Sequence, residues 1–256
     1  MLQKNSVKQK IANNEVVFGI LNSTPLPLLV EMIGYAGYDF IILDQEHLLR
    51  HPVELEHAIR AAECANMSAF VRVPGPFPHL IQQALDAGAQ GIVVPRIEHV
   101  EQAQQVTQAC RYPGEGNRGI TGGRNTGFGQ IPLAEYTQLA NQQVMLVLMI
   151  ESVTGVKNLP EILAVPGIDM ILEGAMDLAF SMGHAANAQH IEVQQAIADI
   201  ALTCKQFHIP FCAIPRTEGQ LTQWRKRNIN AFVVGEDRGI LFRALQANLA
   251  QFKNEL

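Results

Sequence analysis

Glu151 and Asp177 each follow a short apolar run, MLVLMI before the first and IDMILEGAM before the second. Apolar runs of this length suit strands buried on both faces of a parallel sheet. The intervening SVTGVKNLPEILAVPG is long enough for a right-handed helical crossover. The two acids should therefore emerge at the C-terminal ends of neighbouring parallel strands. Such a pair is rich in oxygen ligands and suits a hard divalent cation, Mg2+ or Mn2+, with no His or Cys beside it to favour zinc. Taken alone, the pair reads equally well as two unrelated surface acids, so the rest of the chain must decide.

Other charged groups gather at the same kind of position. DFIILD ends in Asp44, with Glu46 and His47 just beyond, and AFVRV carries Arg72 near its end. A 2-oxo acid could chelate the cation through its carboxylate and keto oxygens, and the metal would then stabilise an enolate as a Lewis acid. Arg72 would set a fixed positive fork against the developing charge. Histidine is the side-chain type that ordinarily titrates nearest neutrality, which makes His47 the natural general base, oriented by an acid. Plainer roles compete: Arg72 pairing a buried Asp, His47 capping a helix, Asp44 bracing its loop. Glu46 reads as structural. His57, His79, His99, His184, His190 and His208 lack paired ligand spacing and read as solvated or capping.

These residues need a scaffold that brings strand ends together. Strands are predicted at 16–21, 39–44, 69–73, 91–95, 145–150, the apolar run before Asp177, 209–214 and 231–237. Helical patterns alternate with them, at about 26–36, 53–65, 79–87, 133–141, 191–207, 219–227 and 239–252 among others. Eight strands alternating with helices predict a single (β/α)8 TIM barrel over residues 1–256, with catalytic groups at the C-terminal strand ends. A doubly wound sheet is the alternative, but no G-x-G-x-x-G follows the first strand. The segment 111–131 breaks the rhythm, being rich in glycine and carrying Arg111, Arg118 and Arg124, which marks it as a functional or disordered loop.

Composition narrows the class. Only 6 % aromatic residues against 48 % hydrophobic fits an aliphatic α/β core better than a β-sandwich. A net charge of −5 leaves no basic footprint for nucleic acid. Cys64, Cys110, Cys204 and Cys212 form no C-x-x-C pair and read as the reduced thiols of a cytoplasmic protein. The polar start shows no signal peptide, and no apolar run reaches membrane-spanning length, so no membrane partner is expected.

With these residues in view, the chain resembles the HpcH/HpaI aldolase family, the metal-dependent class II 2-oxo-acid aldolases related to the citrate lyase β subunit. The matching motifs, in order, are DFIILDQEH, FVRVP, LDAGAQGIVVP, RYPGEGNRG, MIESVTGVKNLPEIL and GAMDLAFSMG, within about Val17 to Ala250. The resemblance implies a barrel of the phosphoenolpyruvate/pyruvate type. It implies metal ligands at Glu151 and Asp177, substrate contacts at Arg72 and Gly174-Ala175, a catalytic His47, and Asp86 as the partner of that histidine. It further implies a C-terminal helix exchanged between subunits and a hexamer built as a trimer of dimers. The expected reaction is reversible cleavage of a 4-hydroxy-2-oxo acid to pyruvate and an aldehyde, without a nucleotide or organic cofactor.

Departures from the family pattern open a second reading. Gly174-Ala175 stands where the aldolases carry Gly-Pro, and Arg96 follows the fourth strand where an apolar residue is usual. Arg124 sits amid glycines, and Arg238 follows the last strand. Extra arginines suit a substrate with more carboxylates, as in the related siderophore-pathway branch that makes citrate from oxaloacetate and acetyl-CoA. In that reading coenzyme A enters as a co-substrate. If Arg96, Arg124 and Arg238 line the mouth beyond the metal, the second reading gains.

Overall fold

The computed structural model describes residues 3–24, 26–48 and 51–253. Eight parallel strands close into a barrel in sequence order, β1 (Val17–Asn22), β2 (Phe40–Asp44), β3 (Ser68–Arg72), β4 (Gly91–Val94), β5 (Met145–Ile150), β6 (Met170–Glu173), β7 (Phe211–Ala213) and β8 (Ala231–Glu236). The expected TIM barrel is the observed fold. Helices α1 (Ser6–Ala12), α2 (Pro27–Tyr35), α3 (Pro52–Cys64), α4 (Pro78–Ala87), α5 (Val100–Cys110) and α6 (Leu133–Gln143) precede β5. After it come α7 (Val153–Leu163), α8 (Ala175–Ser181), α9 (Ile191–Gln206), α10 (Gln220–Lys226) and α11 (Asp237–Lys253). Pro25, between β1 and α2, lies outside the described residues.

The period-two alternation of the strands divides the core. Phe40, Ile42, Phe70, Val93, Met145, Val147, Met149, Met170 and Leu172 fill the barrel lumen, while Ile41, Leu43, Val71, Leu146, Leu148 and Ile150 face the helices. Carried one step further, the same alternation decides which charged residues can meet. Asp44 and Arg72 are two residues beyond the lumen-facing Ile42 and Phe70, and Glu151 is two beyond Met149. All three are thus directed over the lumen mouth, at the C-terminal end of the strands.

Two devices fasten the barrel. At the N-terminal end, α1 lies across the opening, and buried Asn5 donates from Nδ2 to the carbonyls of Gln90 and Gln143, each at 3.0 Å. At the other end, the buried Asp237 carboxylate bridges the first and last strands. It accepts from Asn22 Nδ2 at 2.7 Å and from the Ser23 and Thr24 amides at 2.8 and 3.1 Å. Among the described residues, no helix is long and apolar enough to cross a membrane.

Candidate active site

Asp44 and Arg72 are register partners on β2 and β3, so their side chains rise side by side. Arg72 Nε donates to Asp44 Oδ1 at 2.9 Å, and its Nη1 lies 3.2 Å from Glu46 Oε2. Burial pushes the Asp44 carboxyl up, but the hydrogen bond and charge of Arg72, with the Glu46 amide, outweigh it and hold the group below its ordinary value. Burial likewise acts against the charge on Arg72, and Asp44, Glu46 and Glu151 together overcome it. The guanidinium is therefore fixed and charged before any ligand arrives.

Glu151 leaves β5 directly beyond Ile150, whose register partner on β6 is Glu173. Its Oε1 accepts the Arg96 amide at 2.9 Å, and that amide is aimed by a left-handed backbone at Arg96, φ 55°. On the other side Glu151 leans on Gly174, where a Cβ would collide with its carboxylate. Asp177 does not end a strand as expected: β6 stops at Glu173, and Asp177 sits in the first turn of the short helix α8. It still stands close enough to act on Glu151. Burial, followed by the charges of Asp177 and Glu46, pushes the Glu151 carboxyl to about 7. Such an acid carries more negative charge nearby than the protein neutralises, so a cation between Glu151 and Asp177 fits this donor set.

Glu46, expected to be structural, belongs to this cluster. Its carboxylate approaches Arg72, then Arg96 Nε at 3.6 Å and His47 Nε2 at 3.7 Å. It lies two residues past the inward-facing Asp44, in the bend after β2, and nothing in its sequence position marked it for the cluster. His47 is exposed beside it and caps no helix among the described residues; the cap of α3 comes from His51, whose Nδ1 accepts the Val53 amide. Ala175 begins α8 and is fully buried. Arg238 follows β8 and pairs with Glu236 at 2.5 Å on the same open end.

Two expected residues lie elsewhere. Asp86 is near the C-terminal end of α4, which leads into the start of β4, so within one chain it is at the opposite end of the barrel from His47. Its carboxylate accepts Arg118 Nη2 at 2.7 Å. Arg124 is held at that same end, in bidentate contact with Glu63 and against Gly88. The cause is the loop at 111–131, which folds down beneath the barrel. Buried Asn125 anchors it by donating to the carbonyls of Leu85 and Asp86 at 2.8 and 3.2 Å. A cavity of about 640 Å³ also opens at this end, beside the starts of β7 and β8, and contains none of the charged cluster.

A barrel whose mouth holds Asp44, Glu46, Arg72, Glu151 and Asp177 invites comparison with known enzymes. The HpcH/HpaI aldolase/citrate lyase family matches residues 20–244. The chain belongs to the HpcH/HpaI family. It is 33 % identical over 250 residues to a 5-keto-4-deoxy-D-glucarate aldolase of Klebsiella pneumoniae, covering 97 % of each chain. It is 37 % identical over 195 residues to a hydroxypyruvate/pyruvate aldolase of Roseobacter denitrificans, covering 75 % of each. Among solved structures, the citrate synthase SbnG superposes with a TM-score of 0.92 at 35 % identity, over 98 % of this chain and 99 % of that one. As an HpcH/HpaI member, this chain is an enzyme of the aldolase and carbon–carbon lyase type.

Proposed function

We propose that the enzyme cleaves and forms a carbon–carbon bond beside the keto group of a 2-oxo acid, taking a 4-hydroxy-2-oxo acid reversibly to pyruvate and an aldehyde. The observation that carries this reading is the buried Glu151 carboxylate, with exposed Asp177 close enough to act on it, opposite a pre-fixed Arg72. Glu151 and Asp177 would hold Mg2+ or Mn2+, which when bound supplies Lewis acidity to the 2-oxo acid's oxygens. The chain's own groups do the rest. Arg72, immobilised by Asp44 and Glu46, offers its charge to the keto or carboxylate oxygen. His47 takes the proton of the 4-hydroxyl as the C3–C4 bond breaks and its electron pair moves toward the keto oxygen. The proton that C3 then gains completes pyruvate. Asp86 can orient His47 only from a second copy of the chain, which agrees with the expected oligomer.

A second reading is citrate formation from oxaloacetate and acetyl-CoA. It is favoured by Arg96 and Arg238 at the open end, by Gly174-Ala175 in place of Gly-Pro, and by the likeness to SbnG. Arg124 lends it no support from within the same chain, being turned to Glu63. Here the 2-oxo acid is the electrophile and the same Arg72 grip applies.

One paired assay separates the readings. The enzyme is incubated with Mg2+, oxaloacetate and acetyl-CoA while free CoA is measured, and in parallel with a 4-hydroxy-2-oxo acid while pyruvate is measured. The silent reaction loses its claim. Glu151→Ala should cut the active one by at least about 100-fold while the fold is kept, as expected when a group at the reacting centre is removed. Turnover that survives both chelation and this substitution would overturn the metal assignment.

A further inference from the structure

His184 and His190 were read from their spacing as solvated or capping; His190 does cap α9, and the structure also brings both imidazoles to Glu192. The two histidines lie on the connection between α8 and α9 and Glu192 in the first turn of α9, and one ligand atom from each falls within 4.8 Å of the others. The imidazoles of His184 and His190 stack with centroids 3.6 Å apart, and His184 Nε2 meets Glu192 Oε2 at 2.8 Å. From this juxtaposition we propose a second metal site, separate from Glu151 and Asp177, that takes a transition-metal dication of the Zn2+ or Ni2+ class.

The donor set makes the selection. Two imidazoles and one carboxylate suit Zn2+ or Ni2+, whereas Mg2+ prefers oxygen ligands and keeps its waters. Three protein ligands leave a fourth position for water. Bond lengths of about 2.0–2.1 Å in a tetrahedral site place ligand atoms roughly 3.3 Å apart. The His184–Glu192 contact thus has to open by only about half an ångström. One imidazole must also turn out of the near-parallel stack so that both in-plane lone pairs meet the ion, a side-chain rotation that the exposed Glu192 can follow.

The backbone that carries the three residues is already set. His184 N–H donates to Ala179 O at 2.8 Å, Asn187 N–H to His184 O at 3.2 Å, and His190 N–H to Asn187 O at 3.0 Å. Ala188 is buried, and its carbonyl accepts Gln194 Nε2 at 2.7 Å. His190 gives up little on binding, since the Glu192 amide that it accepts lies at 3.3 Å, long for such a bond. A cation here would clamp the end of α8 to the start of α9.

The test uses the full-length enzyme, stripped with chelator and titrated with Co2+ in the presence of saturating Mg2+. Intense visible d–d absorption from a low-symmetry Co2+ site is expected at one equivalent per chain, displaced by Zn2+, with a Zn2+-dependent rise in melting temperature. His184→Gln/His190→Gln should lose both signals, and Glu192→Gln should weaken Co2+ binding by about tenfold or more, while Mg2+-supported turnover is unchanged in each. Circular dichroism confirms that the variants fold, and Glu151→Gln should keep the Co2+ signal. Absence of the absorption in the parent enzyme, or its persistence in the folded double variant, would overturn the proposal. A signal lost in Glu151→Gln instead would assign the cobalt to the catalytic carboxylates and also overturn it.

Discussion

At the scale of single residues, the site is a balance of buried charge. Arg72 neutralises Asp44 and part of Glu46, and Glu151 is left with Asp177 and no comparable cation. The Asp44–Arg72 pair carries a pH signature. Because the folded pKa of Asp44 is held below its ordinary value, the pair's contribution is complete above about pH 4 and is lost as pH falls through the lower folded value. Asp44→Asn should therefore flatten the acid limb of the stability–pH curve. It should also cost about 3–5 kcal/mol at neutral pH, since Arg72 stays buried with its main partner gone. Chemical denaturation between pH 3 and 7 checks both; an unchanged acid limb would show that Asp44 is not the titrating group. Asp44, Arg72 and Glu151 were legible from the chain because strand alternation fixes their direction. Glu46 was not, because it lies beyond the end of β2 in a bend whose course the strand alternation does not describe.

At the scale of elements, β5–α7–β6 is the unit that builds the carboxylate pair, and the close approach at Gly174 is what lets it work. Glu151 packs where a side chain on residue 174 would stand, so Gly174→Ala must displace either the carboxylate or the start of α8. The expected cost is about 1–3 kcal/mol of stability. Mg2+-dependent thermal stabilisation should also be lost, with turnover down by at least about tenfold, because both acids move off their common position. Differential scanning fluorimetry with and without Mg2+ measures this, and a full Mg2+ response in the variant would contradict it. The strands and long helices could be read from apolar periodicity and crossover length. Helix α8 could not, since its seven residues follow the apolar run of β6 after a single glycine. The descent of the loop at 111–131 was equally invisible, because its anchors reach partners distant in sequence: Asn125 to backbone carbonyls, Arg118 to Asp86, Arg124 to Glu63 and Arg111 to Asp169. That is why Arg124 was grouped with the mouth, whereas Asp86 entered the site through the family resemblance alone.

At the scale of the whole molecule, the chain leaves a broad apolar face open. Leu241, Phe242, Leu245, Leu249 and Phe252 of α11 are exposed, as are Leu28, Met32 and Tyr35 of α2. We read this as the surface of an oligomer in which α11 docks on a neighbour, the arrangement that would also offer Asp86 to another copy's site. Removing residues 240–256 should convert the assembly to smaller species with exposed apolar surface, seen by light scattering after size exclusion. An unchanged mass would exclude α11 from the contact. The fold of one chain was legible from its sequence, whereas its assembly rested on resemblance, because an apolar helix face does not name what covers it. The Asp237 latch has a different consequence, one of rate. It joins residues 213 to 215 positions apart, a contact that gains nothing until nearly the whole chain is in place. Such a bond forms after the folding barrier. Asp237→Asn should accordingly hasten unfolding several-fold and leave refolding nearly unchanged, so that the two arms of a chevron plot shift unequally. The seam where the barrel closes last would then also be the place where it first comes apart.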